Sequence, residues 1–169
     1  MPESKSINIA LFGLGTIGKR HLLAIDKIDN VKLVGIVDVS KEAEVFCASK
    51  NIPLYNNLNN LKKHHKIDGV IISTPTILHY DNALEVLNFG LDVLIEKPIS
   101  ASISEAKEIE QLAKDKNCKV LVGHQRRFYP LVLETKKIIS DNRIGQVIGI
   151  SGVWALRKDN DYFEPEWRK

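Results

Sequence analysis

The sequence predicts an α/β fold with a doubly wound parallel sheet, followed by the beginning of a second α/β domain. Three observations support this class: short apolar runs alternate with segments of helical periodicity, a glycine-rich turn follows the first run, and an acidic residue ends the second. The apolar runs are hydrophobic at consecutive positions, which is typical of strands covered on both faces.

The first two thirds of the chain contain the strand–helix alternation. Gly90 is placed as the residue just past one helix, and Ser102 with Glu105 forms a capping box at the start of the next. The predicted strands are Ile7–Phe12, Val31–Val37, Gly69–Ser73, Asp92–Ile95 and Lys119–Val122. The predicted helices are Thr16–Ile28, Lys41–Lys50, Ile77–Phe89 and Ile103–Lys116, with an acid-poor turn around Leu58–His65.

The pattern changes after Gly123, so we place one domain at 1–123 and the incomplete start of a second at 124–169. Pro130 to Ser140 is predicted as a helix that begins at a proline. Val147 to Leu156 is predicted as a long strand with one strongly apolar face. Because an unpaired apolar strand invites pairing with another chain, we expect a homo-oligomer through this segment.

Composition limits the function classes. The 169 residues are 44% hydrophobic and 27% charged, and the net charge of +3 is too small to indicate a nucleic-acid partner. No apolar run reaches the length of a membrane span, and no signal peptide precedes the first strand. Cys47 and Cys118 are widely separated and suit a reducing cytoplasm, and His64-His65 has no partner that would make a metal site.

The glycine turn carries the most information. Gly13-Leu14-Gly15-Thr16-Ile17-Gly18 lies between a predicted strand and a predicted helix, and Asp38 follows twenty residues after Gly18. In a Rossmann dinucleotide site such a turn lets the backbone approach a pyrophosphate at the helix N-terminus, and the acid accepts hydrogen bonds from ribose hydroxyls. A structural glycine turn is the alternative. Asp38 favours NAD, although Lys41 could partly offset its charge and NADP stays possible.

Three further polar segments follow predicted strands, where ligands bind in a doubly wound sheet. They are Ser73-Thr74-Pro75-Thr76 with His79 just beyond, Glu96-Lys97-Pro98, and His124-Gln125-Arg126-Arg127-Phe128. Together with the glycine turn they are expected to line one crevice.

The ordered set of these motifs resembles the glucose–fructose oxidoreductase / inositol dehydrogenase / MocA family. That resemblance implies a dinucleotide-binding Rossmann domain at 1–123 and, at 124–169, the incomplete start of a larger α/β substrate or oligomerisation domain. It also implies hydride transfer between a nicotinamide cofactor and a sugar, cyclitol or related ketone.

By the same resemblance, Lys97 is the catalytic residue, and a cis bond is common near the proline that follows it. An ammonium group there would stabilise alkoxide charge or relay a proton, with Glu96 orienting it. The implied cofactor-binding residues, in addition to the glycine turn (Gly13, Gly15, Thr16, Ile17, Gly18) and Asp38, are Ser73, Thr74, Pro75, His79, Glu96, Lys97, Gln125, Arg126, Trp167 and Arg168.

Several alternatives stay open at this point. Glu96-Lys97 could be a solvated pair, His79 a structural hydrogen-bonder, and Gln125-Arg126 a surface loop; His21 is expected to pack on its own helix.

Trp167-Arg168 resembles the family's WR pair, but the family pattern continues with a glycine-rich stretch and a GxHxxD motif that this sequence lacks. We therefore expect a truncated, split or fragmentary chain, with a non-catalytic dinucleotide-binding protein as the alternative function. A flavin or S-adenosylmethionine binder is disfavoured, because it gives Glu96-Lys97-Pro98 no role.

Overall fold

The computed structural model describes residues 6–164, and the chain divides into two units, Met1–Gly123 and His124–Lys169. The first unit contains a six-stranded sheet in which every pair of neighbouring strands is parallel. The strands are β1 (Ile7–Phe12), β2 (Val31–Val37), β3 (Leu54–Tyr55), β4 (Gly69–Ile72), β5 (Asp92–Ile95) and β6 (Val120–Val122).

The strand order is β3-β2-β1-β4-β5-β6, so the direction of winding reverses between β1 and β4. This is the Rossmann arrangement that the sequence predicts, and the crevice at such a reversal is where doubly wound sheets bind ligands. The predicted fold class is therefore confirmed for the first unit.

Helices connect the strands of the first unit, and side chains cap three of them. Ser40, Asn57 and Ser102 each accept a hydrogen bond from the backbone three residues later, and Ser102 forms the predicted capping box with Glu105. The helices are α1 (Thr16–Ile25), α2 (Lys41–Lys50), α3 (Leu58–His64), α4 (His79–Asn88) and α5 (Ile103–Asp115). No helix within residues 6–164 is long and apolar enough to cross a membrane.

Two hydrophobic clusters form the core of this unit because successive strand residues point to opposite faces. In β1, Ala10 and Phe12 belong to the larger cluster, which includes residues of α3, α4 and α5. Leu11 belongs to the smaller cluster, which includes Ala43 and Cys47 of α2. The sheet is therefore covered on both faces, which holds its strand ends in fixed positions.

The second unit contains the predicted helix, α6 (Pro130–Ser140), but not the predicted strand. Residues 147–156 have no regular secondary structure, so the strand prediction for Val147–Leu156 is wrong. A strand needs the backbone of a neighbour to satisfy its polar groups, and the described residues of this unit include no strand that could supply one. The apolar side chains of the segment are exposed, with Ile148 at 97% and Ile150 at 90%.

Candidate functional site

The glycine turn joins β1 to α1 at the carboxyl edge of the sheet. Gly13 has a φ of +82°, and a Cβ there would lie 2.8 Å from the backbone nitrogen of Thr74. At Gly18, a Cβ would lie 2.0 Å from the carbonyl oxygen of Gly13. Both glycines are therefore required by the packing of the turn against its own backbone and the end of β4.

Gly15 is different, because a Cβ there would meet no protein atom within 4 Å. Gly15 caps α1 without a side-chain hydrogen bond, no acidic residue lies in the first turn, and the exposed residues Thr16 and Ile17 follow. The helix N-terminus thus presents N–H groups and its positive dipole end to open space. The residues present fit the pyrophosphate of a dinucleotide, since a small residue at Gly15 leaves room for that group.

Asp38 follows β2 and holds the glycine turn in place. Its Oδ2 accepts a hydrogen bond from the backbone N–H of Leu14 at 2.7 Å, and its Oδ1 accepts one from that of Ser40 at 2.8 Å. Burial would raise the pKa of Asp38, but the hydrogen bonds from Leu14, Ser40 and Val39 outweigh it and hold the pKa below its ordinary value. Asp38 is therefore an ionised acceptor whose free lone pairs suit ribose hydroxyls.

The loop after β4 packs directly on the glycine turn. The Ser73 hydroxyl lies within hydrogen-bond distance of two carbonyl oxygens that accept from it, those of Phe12 at 3.0 Å and Gly13 at 2.8 Å. The Thr74 hydroxyl donates to Asn82 Oδ1 of α4 at 2.9 Å. Pro75 is exposed at the tip of the loop. The structure thus brings this predicted cofactor loop against Gly13.

His79 begins α4 and is buried, with 1% of its surface exposed. Its Nε2 lies 2.9 Å from the carbonyl oxygen of Thr74, and its Nδ1 lies 2.8 Å from that of Pro98. Both ring nitrogens are therefore engaged by the protein, and the ring has none left for a cofactor. We correct the expected direct contact of His79 with the cofactor to a structural link between two loops, the alternative noted from the sequence.

Lys97 follows β5 at the same edge of the sheet, and its side chain is exposed. The Lys97–Pro98 peptide bond is cis. The neighbouring Glu96 is partly buried; its Oε2 accepts a hydrogen bond from the Lys97 backbone N–H at 3.2 Å. Its Oε1 accepts one from Nε2 of His21 at 2.9 Å. The Glu96 carboxylate therefore holds the backbone of Lys97 and contacts α1.

From the sequence, His21 is expected to pack on its own helix, and the structure shows that its ring also contacts Glu96. His21 lies three residues after Gly18, so it occupies the same face of α1 one turn later, and this spacing could have indicated a contact beyond the glycine turn. Gly123, after β6, also belongs to this arrangement, because a Cβ there would lie 2.9 Å from Glu96 Oε1. Asn82, the partner of Thr74, carries no motif that would have identified it.

The remaining predicted site residues follow the first unit in the chain. Gln125 and Arg126 belong to the second unit, in a short 3₁₀ helix, Gln125–Phe128. The Arg126 guanidinium lies 4.2 Å from the ring centre of Trp154, a cation–π geometry within that unit. Trp167 and Arg168 lie outside the described residues. A role of these four residues in cofactor binding stays a prediction.

The first unit is thus a Rossmann unit whose glycine turn, acid and strand-end loops meet at one edge of the sheet. The chain belongs to the oxidoreductase family with an NAD-binding Rossmann fold, the GFO_IDH_MocA family, whose model matches residues 7–124. The resemblance seen in the sequence is therefore confirmed.

Characterised relatives and solved structures agree with this membership. The chain is 30% identical to inositol 2-dehydrogenase of Rhizobium meliloti over 84% of its own length and 43% of the relative's. It is 29% identical to glucose-6-phosphate 3-dehydrogenase of Bacillus subtilis, over 84% of this chain and 40% of that protein. The WlbA dehydrogenase from Bordetella pertussis, solved in complex with NADH and UDP-GlcNAcA, is 28% identical with a TM-score of 0.79, over 84% of this chain and 42% of that one.

The match covers only part of each of these relatives. The chain spans about two fifths of the length of each of the three. Family membership and fold follow from the match, whereas activity, substrate and partners are treated below as proposals.

Proposed function

We propose that this chain binds NAD at the carboxyl edge of its sheet and acts in hydride transfer between the cofactor and a hydroxyl or ketone substrate. The observation that carries the proposal is the convergence of the glycine turn, Asp38 and Lys97 at one edge, linked through Ser73, His79 and His21. NAD would supply the hydride acceptor or donor, and the chain would supply binding, orientation and proton handling.

Each part of the site has a defined task in this proposal. The N–H groups at the start of α1 bind the pyrophosphate above Gly15, and Asp38 accepts hydrogen bonds from the ribose hydroxyls. Lys97 holds a proton at the reacting oxygen of the substrate, donates it when a ketone is reduced and accepts it when an alcohol is oxidised. Its exposed side chain leaves it free to reach a substrate above the sheet edge.

We propose NAD rather than NADP as the cofactor. An ionised Asp38 repels a 2′-phosphate, and its pKa is held low. Lys41, the nearby cation that could offset this charge, forms an ion pair with Glu44, with 2.6 Å between Nζ and Oε2. Because both side chains are well exposed, this ion pair is weak and contributes only modestly to the preference for NAD over NADP.

The proposed substrate is a sugar or cyclitol. Support comes from relatives named for inositol and glucose 6-phosphate, and from a structural relative that holds a nucleotide sugar. We also propose that the exposed apolar residues after α6 bind a second polypeptide, either another copy of this chain or a separate substrate-binding protein.

Titration of the full chain with NADH and NADPH, followed by calorimetry, tests the cofactor assignment. We expect saturable binding of both with tighter binding of NADH, and no saturable binding by a folded sample would refute the proposed function. Tighter binding of NADPH would overturn only the cofactor preference.

Lys97→Met tests the chemical assignment, with Lys107→Met, an exposed lysine of α5, as the matched control. We expect NADH affinity to be nearly unchanged in both variants. Turnover with a panel that includes myo-inositol and glucose 6-phosphate should fall only in Lys97→Met, the pattern of an interaction made in the transition state. Equal turnover in the two variants would remove Lys97 from the mechanism, and NADH binding without turnover in wild type would favour a non-catalytic dinucleotide-binding protein.

A further inference from the structure

Lys97 lies between two residues that are each held by a histidine. Glu96 accepts a hydrogen bond from His21 of α1, and the carbonyl oxygen of Pro98 lies 2.8 Å from His79 of α4. Both helices begin at a loop of the proposed cofactor site: α1 begins within the glycine turn, at Thr16, and α4 follows the loop that contains Thr74. The two histidines therefore join these two helices to the residues on either side of Lys97, His21 through the Glu96 carboxylate and His79 through the Pro98 carbonyl oxygen.

We propose that His21 and His79 are positioning residues that brace the Lys97 segment from the two cofactor loops. This inference rests on the function proposed above, because it assigns the braces to the same lysine and the same cofactor. It predicts that binding at the glycine turn restrains Lys97, although no hydrogen bond of the Lys97 side chain to either loop is found among residues 6–164.

The chemistry of each contact defines which ring nitrogen acts. An ionised carboxylate only accepts hydrogen bonds, so Nε2 of His21 is the donor to Glu96. At His79, the carbonyl oxygens of Thr74 and Pro98 are both acceptors; a neutral ring donates to one of them and an imidazolium to both. The brace requires that Nδ1 of His79 donates to Pro98.

The surroundings of Glu96 are shaped for this role. Glu96 Oε2 accepts from the Lys97 backbone N–H at 3.2 Å, so one carboxylate links His21 to the backbone of Lys97. Gly123 approaches the same carboxylate so closely that a Cβ would lie 2.9 Å from Oε1. The carboxylate is thus confined from the side of β6, and a shift of His21 must be transmitted to it.

Amide variants can separate the two ring nitrogens, because the side-chain nitrogen of Asn lies near the position of Nδ1 and that of Gln near the position of Nε2. At residue 21, His21→Gln should keep the brace and His21→Asn should break it. At residue 79 the order reverses, so His79→Asn should keep the contact with Pro98 and His79→Gln should lose it. A role in packing alone would instead rank the smaller Asn below Gln at the buried position 79.

The measurement is amide hydrogen exchange of the full chain, followed residue by residue by NMR, with the Lys97 amide as the reporter. Without cofactor, we expect exchange of this amide to be roughly fivefold faster in His21→Asn and His79→Gln than in wild type, the scale of one lost hydrogen bond. His21→Gln and His79→Asn should exchange as wild type does. Equal exchange in all four variants would overturn the proposal. Faster exchange in His79→Asn than in His79→Gln, as a role in packing alone predicts, would also overturn it.

Addition of NADH separates this inference from the proposed function. In wild type, NADH should slow exchange in the glycine turn and at Lys97, and only the two variants that keep the brace should retain the effect at Lys97. Protection of the glycine turn with equal slowing at Lys97 in every variant would overturn the brace while leaving cofactor binding intact. Absence of protection at the glycine turn would refute the proposed function, and the cofactor-free comparison would still decide whether the braces exist.

Discussion

Substitution of Asp38 by alanine should destabilise the fold as well as weaken cofactor binding. Asp38 is expected from its position to contact a ribose, but in the structure it also accepts hydrogen bonds from the backbone N–H groups of Leu14 and Ser40. Leu14 is only 5% exposed, so its N–H would lose its acceptor in a place that water reaches poorly. Loss of the carboxylate therefore releases the glycine turn from β2.

The magnitude follows from the two hydrogen bonds. A hydrogen bond to a charged group contributes about 1.5–3 kcal/mol, and because Asp38 is only partly buried we take the lower limit for each bond, about 3 kcal/mol in all. For a chain of this size, about 3 kcal/mol corresponds to a decrease in Tm of roughly 6–12 °C. A residue that served only the cofactor would leave the Tm of the free chain unchanged.

Thermal unfolding of the cofactor-free chain, followed by far-UV circular dichroism, measures this effect. Asp29→Ala is the matched control, because it makes the same chemical change at an exposed position in the turn before β2. We expect Asp38→Ala to unfold at a clearly lower temperature than Asp29→Ala. If the two Tm values agree within about 1 °C, the argument that Asp38 holds the glycine turn is refuted.

Three further predictions follow from other features. Gly15→Ala should keep the wild-type Tm but weaken NADH binding at least roughly tenfold in calorimetry. Gly18→Ala should instead lower the Tm, because its Cβ would lie 2.0 Å from a carbonyl oxygen. The reverse pattern would contradict the assignment of open space above Gly15. Because folding lowers the pKa of Asp38, its contribution to stability is complete above the unfolded pKa of about 3.8 and is lost as the pH falls through the folded pKa. Urea unfolding should therefore show that the free energy of unfolding falls more steeply with decreasing pH in wild type than in Asp38→Asn. Parallel curves for the two proteins would count against this prediction. Sedimentation of the full chain should show concentration-dependent association that Ile150→Lys weakens, since Ile150 is 90% exposed, and a monomer at every concentration would exclude self-association.

Most of the first unit could be predicted because its signals are local. β1, β2, β5 and α2 have the bounds that their apolar runs and caps indicate, and in the second unit α6 begins at its proline as predicted. α1 is predicted three residues too long, since its last turn tightens after Ile25, where the N–H of Ile28 donates to the Ile25 carbonyl. β3 has only two residues, too few to form a periodic pattern, so the sequence does not predict it.

The prediction failed where a structure depends on a partner. The apolar alternation of Val147–Leu156 indicates a strand, but alternation does not supply the neighbouring backbone that a strand requires. In the site, the motifs identify which residues meet at the sheet edge. The spacing of His21 from Gly18 indicates which face of α1 it occupies, but its partner Glu96 lies 75 residues away and is not indicated by that spacing. Burial of His79 is likewise a property of how α4 packs, and its sequence position alone left both roles open.

The narrow space between Gly123 and Glu96 has a consequence for how members of such a family could be recombined. Gly123 is the last residue of the first unit, and a side chain there would push against the carboxylate beside Lys97. A chimera that grafts a different second half onto this Rossmann unit therefore inherits a requirement at its junction: the crossover must come after this glycine. If the junction lay one residue earlier and the donor protein supplied an alanine at position 123, that side chain would disturb Lys97 even though every motif residue was kept.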